Sequence, residues 1–259
     1  MPFAKLPDAQ IFYEWSGPER APVLVLSNSL GTNHRMWDSQ VAAFTRHFRL
    51  LRYDTRGHGQ SSVTPGPYTI EKLSWDVVCL LDFLHLDRVH FCGLSMGGMT
   101  GMFLGANAAN RLHKIVLCNT AAKIGTPETW NARIDAIRKG GMHAVAAGVV
   151  ERWLTPAYRV SHPAETAAVL RMLEEANPEG YVACCAAVRD MDQRQNLQNV
   201  KVPALVLSGT HDPATLPADG QFLAKHIPGA SYVELNAAHL SNIEAQEDFN
   251  TRVLNFLQK

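Results

Sequence analysis

The chain reads as an α/β protein: a mostly parallel central sheet with helices on both faces and a helical cap inserted after the middle strands. Three observations carry that expectation. Short apolar runs of strand length alternate with helical repeats through the first half of the chain and again near its end. The alternation breaks from about Ala122 to Arg189, where helical spacing continues without a convincing strand. And Gly93-Leu94-Ser95-Met96-Gly97 stands between an apolar run and a glycine-punctuated helical segment. That strand–turn–helix setting gives a G-x-S-x-G pattern mechanical meaning.

Phe3–Leu6 and Gln10–Trp15 are expected to pair as an opening hairpin across Pro7-Asp8-Ala9. Val23–Ser27 is a continuous apolar run, as a strand covered on both faces requires. Val41, Phe44 and Phe48 give Met36–Phe48 a helical period, and Arg49–Tyr53 follows as a strand. Leu73, Val77, Leu80, Leu81 and Leu84 mark an amphipathic helix over Ile70–Leu84. The strand Val89–Gly93, the helix Met96–Ala109 and the strand Lys114–Asn119 come next. After the break the pattern resumes with strand Ala204–Gly209, helix Ala218–His226, strand Ser231–Leu235 and helix Asp248–Leu257.

The break itself divides into four helical stretches: Glu128–Lys139, Met142–Leu154, Pro163–Glu175 and Gly180–Asp190. Gly140-Gly141, Thr155-Pro156 and Asn177-Pro178 separate them as turns. The organisation expected is a core formed by 1–121 and 190–259, with 122–189 as the inserted cap. The alternative is a helical subdomain with no part in substrate binding.

A length of 259 residues suits one sizeable domain. Lys plus Arg and Asp plus Glu number 24 each, and no basic run interrupts the balance. Nucleic acid and anionic membrane surfaces are therefore not expected as partners. The start MPFAKLPDAQ lacks the layout of a signal peptide, and no apolar stretch has bilayer-spanning length. Five cysteines, an odd number with two of them adjacent, read as reduced thiols in a cytoplasmic protein. No spacing of Cys, His and acidic residues makes a metal site, and the chemistry below calls for no cofactor. Nothing in the sequence specifies an oligomeric state.

A serine nucleophile needs a base, and the base needs an acid to orient it. Asp212 follows strand Ala204–Gly209 within three residues, and His239 follows strand Ser231–Leu235 within four. Both positions lie at the carboxyl ends of strands, where parallel sheets gather ligands and catalysts. Ser95, Asp212 and His239 thus occur in the chain order expected of a triad on this type of sheet. The oxyanion donors expected are the N–H of Met96, directly after the serine, and that of Leu30, in the Asn28-Ser29-Leu30-Gly31-Thr32 loop after strand Val23–Ser27.

Tyr53-Asp54-Thr55-Arg56-Gly57-His58-Gly59-Gln60-Ser61, the Gly93–Gly97 turn and the late Asp212/His239 pair together resemble the α/β-hydrolase superfamily across essentially the whole chain. In that family the Asp-x-Arg-Gly-His-Gly stretch is architectural, so Asp54, Arg56 and His58 take no catalytic role. More narrowly, LSNSLGTNHRMW, LRYDTRGHGQSS, PYTIEKLSWDV, FCGLSMGGMTG, LCNTAAKIGTPETW and LVLSGTHD are similar to the 3-oxoadipate enol-lactonases of bacterial aromatic-acid degradation. The departures fall in the second half of the cap and in Ala214-Thr215-Leu216-Pro217.

The resemblance implies a small anionic substrate, a five-membered enol-lactone bearing an acetate arm, opened to 3-oxoadipate through an acyl-enzyme. Arg133, Arg152 and Lys123 are the candidates to meet the carboxylate. Trp130 and Arg133 lie three apart on one helix and so share a face. On that reading Trp130 packs on the lactone ring and Arg133 pairs with the acid. Otherwise Trp130 is cap core and Arg133 a solvated charge. Another capped serine hydrolase, such as a carboxylesterase or a carbon–carbon bond hydrolase, fits the same residues. A ligand receptor of the same fold is the alternative from a different class. Ser95 excludes the related enzymes whose nucleophile is an aspartate.

Overall fold

The computed structural model describes residues 2–259. Eight strands form one sheet in the order β1-β2-β4-β3-β5-β6-β7-β8. β1 (Phe3–Lys5) and β2 (Gln10–Ser16) make the expected antiparallel hairpin, and β2 pairs antiparallel with β4 (Arg49–Tyr53). From there β4, β3 (Val23–Ser27), β5 (Val89–Leu94), β6 (Leu112–Cys118), β7 (Ala204–Gly209) and β8 (Ser231–Leu235) are all parallel. The inner strands are buried on both faces, which is why their sequences are continuous apolar runs rather than alternating ones.

Helix boundaries follow local chemistry. The expected helix over Met36–Phe48 is shorter and composite. A 3-10 turn at His34–Trp37, capped by Asn33, leads into α1 (Asp38–Phe44), and Phe48 packs as the chain turns into β4. α2 (Ile70–Phe83) starts where the Thr69 hydroxyl accepts the Lys72 N–H at 3.0 Å. α3 (Met96–Asn107) leaves the serine turn and runs beneath the sheet. α9 (Pro217–His226) connects β7 to β8, and after β8 come a short α10 (Ser241–Glu244), which the sequence pattern does not announce, and α11 (Gln246–Leu257).

Between β6 and β7 the chain is helical, as expected, but with five helices rather than four: α4 (Pro127–Gly140), α5 (His143–Trp153), α6 (Pro156–Ser161), α7 (Pro163–Glu174) and α8 (Pro178–Asp190). The Thr155-Pro156 step, expected as a turn, starts α6. Thr155 caps the helix by accepting the Tyr158 N–H, and Pro156 takes the first helical position, where its missing N–H costs nothing. α4 packs on α8 and α5, and α5 on α7.

Two features tie this segment to the sheet. A Cβ on Gly180, at the start of α8, would fall inside contact distance of the Gly57 backbone, so the two backbones touch there. Tyr68 N–H donates to the Ala183 carbonyl at 3.1 Å beside them. Beneath Gly57, Arg56 is buried and bonds the carboxylates of Asp76 (2.7 Å) and Asp8 (2.6 Å), fastening α2 to the opening hairpin.

Gly180→Ala is therefore expected to lower the melting temperature by several degrees, because backbone has no room to give. Gly148→Ala, in the middle of α5 with only the Arg152 guanidinium 3.9 Å away, is expected to raise stability by about 0.5–1 kcal/mol. Thermal unfolding of the two variants checks the pair.

Candidate active site

Ser95 occupies the turn between β5 and α3 with φ 57 and ψ −113, a conformation an L residue holds only under constraint. Gly93 and Gly97 supply the space. A Cβ on Gly93 would strike the Gly97 backbone, and one on Gly97 would strike the Ser27 carbonyl. Bonds on each side fix the turn: Ser95 N–H to the Cys118 carbonyl (2.9 Å), Gly97 N–H to the Asn28 carbonyl (3.0 Å), and the Thr120 hydroxyl to the Ser95 carbonyl (2.8 Å).

The backbone N–H groups around the serine are unequally engaged. In the β3 loop the Gly31 N–H donates to His58 Nε2 at 2.9 Å and the Thr32 N–H to the Ser29 carbonyl. Between these and their counterparts in the serine turn, the N–H groups of Leu30 and Met96 have no acceptor among the described residues. Both residues line the same cavity as Ser95, and Met96 opens a helix whose dipole presents its positive end there.

Asp212 and His239 come together at the ends of β7 and β8. Asp212 Oδ2 lies 2.8 Å from His239 Nδ1 and also accepts from the Thr215 hydroxyl (2.6 Å) and the Asn119 amide (3.0 Å). Its Oδ1 accepts the N–H groups of Ala214 (2.8 Å) and Thr215 (3.0 Å). Burial would raise the Asp212 pKa. The His239 charge and hydrogen bond, with those from Thr215 and Asn119, outweigh it and hold the carboxyl at about 2. Asn119 itself stands at φ 44, its Nδ2 also reaching the Ala238 carbonyl at 3.2 Å and its Oδ1 accepting from Ser241.

A cavity of about 400 Å³ opens above Ser95. It brings together the serine, Leu30, Met96, Trp130, Arg133 and His239, with Asp212 behind the histidine. Asp54, Arg56 and His58 lie outside its lining. Trp130 is nearly buried, donates its indole N–H to the Ile124 carbonyl at 2.9 Å, and carries the Arg133 guanidinium 4.9 Å over its ring. Arg152 lines the same space; burial, and then the charge of Arg133, push its pKa below the ordinary arginine range. Among the described residues neither arginine pairs with a carboxylate, whereas Lys123 pairs with Asp192 at 3.4 Å. The Tyr181 hydroxyl, in the same wall, is buried without a hydrogen-bond partner, and burial raises its pKa to about 12.

Four contributors went unread in the sequence: Asn119, Thr215, Tyr181 and Trp153, whose ring stacks on the His239 imidazole at 5.9 Å between centroids. Asn119 sat within a motif whose asparagine had no evident task. The aromatic pair was indistinguishable from helix core.

A strained serine turn, an Asp–His pair and free N–H donors at the carboxyl edge of a parallel sheet are the arrangement of a hydrolase of the α/β-hydrolase fold. The family model described as the alpha/beta hydrolase fold matches residues 22–144. The chain is 41% identical over 95% of its length to the 3-oxoadipate enol-lactonase 2 of Acinetobacter baylyi, covering 92% of that protein. It is 40% identical over 90% of its length to enol-lactonase 1 of the same organism, covering 88% of it. The crystal structure of the enol-lactonase from Burkholderia xenovorans LB400 superposes with a TM-score of 0.98 at 48% identity, all of both chains being covered. The chain belongs to the 3-oxoadipate enol-lactonase family.

His58, which holds the Leu30–Gly31 loop through its Nε2, is fully buried, and burial lowers its pKa from 6.5 to about 4. It is thus neutral in the folded protein, as an acceptor must be. As pH falls below 6.5 the unfolded chain takes up a proton that the folded one refuses until about 4. Stability is therefore lost through that window, by up to roughly 3 kcal/mol from this group. His90, also pushed to about 4 by burial, adds to the same slope. Asp212 acts below that window, since its stabilising effect is lost only below the unfolded carboxylate value. Urea unfolding at pH 7 and pH 4.5 is expected to show this loss, with a smaller loss in His58→Gln.

Proposed function

We propose that the protein hydrolyses 3-oxoadipate enol-lactone to 3-oxoadipate, with Ser95 as nucleophile, His239 as base and Asp212 as its orienting acid. The observation that carries the reading is the cavity itself: Ser95 and His239 at its floor, two uncompensated guanidinium groups in its wall. Full-length likeness to proteins named enol-lactonases supports the choice of substrate.

In this reading Asp212 holds Nδ1–H, so Nε2 faces the serine as an acceptor. His239 takes the Ser95 proton as the hydroxyl oxygen attacks the lactone carbonyl. The negative charge that develops on the carbonyl oxygen is met by the Leu30 and Met96 N–H groups, at about 3 kcal/mol per donor. Collapse breaks the ring C–O bond and expels an enolate oxygen, a good leaving group because its charge is delocalised onto carbon. The proton held by His239 passes to that enolate, giving the ketone and a neutral histidine, and the acyl group stays on Ser95. Water, deprotonated by His239, then releases the acid and restores the serine. The 122–189 segment acts as the cap over this chemistry. Arg133, seated on Trp130, pairs with the acetate arm. Five free thiols suit a cytoplasmic setting.

Ser95→Ala is expected to abolish both enol-lactone turnover and covalent labelling by a fluorophosphonate. Turnover of nitrophenyl esters without turnover of the freshly generated enol-lactone would instead favour a general carboxylesterase. Persistent labelling after the substitution would remove Ser95 from the role.

Arg133→Ala is expected to raise KM for the anionic lactone about tenfold or more and to leave KM for a neutral ester within about twofold, since only the former loses a charge-assisted bond. Steady-state kinetics on the two substrates decides it; equal effects would make Arg133 a structural residue.

A further inference from the structure

His239 is gripped by the helical segment as well as by Asp212. On its amino side the Ala238 N–H donates to Glu244 at 2.9 Å. The same carboxylate accepts the Thr155 N–H at 3.3 Å and the Thr155 hydroxyl. On its carboxyl side the Leu240 N–H donates to the Trp153 carbonyl at 3.0 Å. The Trp153 ring faces the imidazole with an interplanar angle of 27°. Both peptide neighbours of the histidine are thus tied to the stretch Trp153–Thr155, where α5 ends and α6 begins.

A second cavity, of about 700 Å³, lies on the far side of this junction, lined by Glu244, Thr155, Tyr158 and His211. Arg152 borders both cavities, so the end of α5 stands between them. Trp153 and Leu154 are buried in the core, and the polar bonds of Thr155 fasten the side that faces the second cavity. Here one carboxylate collects three donors, and charge-assisted bonds of this kind are about twice as strong as neutral ones. A lid that lifts would need weak attachments at this point.

We propose that Glu244 is a positioning residue that locks the end of α5 to the histidine loop. Trp153–Thr155 is then a fixed wall of the active site, and opening of the cap takes place elsewhere in the segment. Freeing Glu244 lets the His239 loop drift from the serine while leaving the arginine side of the cavity in place. This rests on the reading of Ser95 and His239 as nucleophile and base.

The experiment compares the full-length wild type with Glu244→Ala, Glu244→Gln, Thr155→Val and the Glu244→Ala/Thr155→Val pair. The rate of Ser95 phosphonylation by a fluorophosphonate reports on the serine–histidine pair without the lactone, and kcat and KM are measured beside it. Glu244→Ala is expected to lower both the phosphonylation rate and kcat about tenfold or more, with KM within about twofold. Glu244→Gln, which keeps one acceptor, falls between. Thr155→Val, which removes the hydroxyl bond to Glu244 together with the α6 cap on the Tyr158 N–H, costs about threefold, and the pair is less than additive because both changes break the Thr155–Glu244 contact. An unchanged phosphonylation rate in Glu244→Ala and in Thr155→Val, with only KM or the melting temperature altered, overturns the proposal. A wild type that is not labelled overturns the nucleophile reading, and this one with it.

Discussion

The contact of backbone on backbone at Gly93, Gly97 and Ser27 is the constraint on which the rest of the site depends. The parallel strands β3 and β5 are neighbours, so the chain leaving β5 must turn into α3 directly over the end of β3. Only glycine permits so sharp a return, and the residue between is left at φ 57. Strain of this kind costs about 1–3 kcal/mol and persists because the surroundings over-determine it. The bonds to Cys118, Asn28 and Thr120 come from the ends of β6 and β3, the strands on either side of β5, so the neighbouring strands hold the turn. One geometry therefore sets the exposed hydroxyl, the free Met96 N–H and the end of the helix dipole together.

Around that turn, the buried ionisable groups of the site have their bonds supplied by the surrounding loops. Asp212 is buried as a carboxylate because five donors meet its two oxygens. Asn119 adopts a left-handed conformation in doing so, which asparagine tolerates better than most residues. His58 is buried as a neutral acceptor on the Gly31 N–H, and that bond aims the neighbouring Leu30 N–H by elimination. Unmet groups occur at several places, among them Thr55, His90 and Asn242, and in the cavity they are the Ser29 and Tyr181 hydroxyls beside the Leu30 and Met96 donors. Unmet polar groups are expensive in a dry core, so those that face the cavity are the ones a polar ligand can complete.

Strand positions and the serine turn were legible in sequence because each rests on a local signal. Continuous apolar runs such as Val23–Ser27 and Ala204–Gly209 report burial on two faces, and Gly93 and Gly97 report a close approach. Ser95, Asp212 and His239 could be placed at strand ends for the same reason. What escaped were consequences of long-range packing. Thr155-Pro156 reads equally as a turn or as a cap followed by a first helical residue, and only the neighbours of α6 decide. Trp153 has the period of helix core, yet its ring meets an imidazole from a loop far along the chain. Asn119 and Glu244 act on partners 93 and 89 residues away, and no local pattern encodes such pairing.

The end of α5 joins the two halves of the cavity more closely than either half suggests. Arg152 and Trp153 are consecutive: one guanidinium borders the anion-facing wall, and the next side chain stacks on His239. The helix holds the two side chains at a fixed spacing along its backbone, so the positive charge and the ring that faces His239 are carried by one rigid element. Arg133 reaches the same wall from α4, whose contact with α5 ties the second charge to this frame. The charge of Arg133 disfavours that of Arg152, a repulsion that Glu151 offsets only in part, so an anion between the two guanidinium groups would relieve it further. On the proposed reading an anionic ligand pairs with that charge beside the serine, whereas a neutral ester of the same size gains nothing from the arginines.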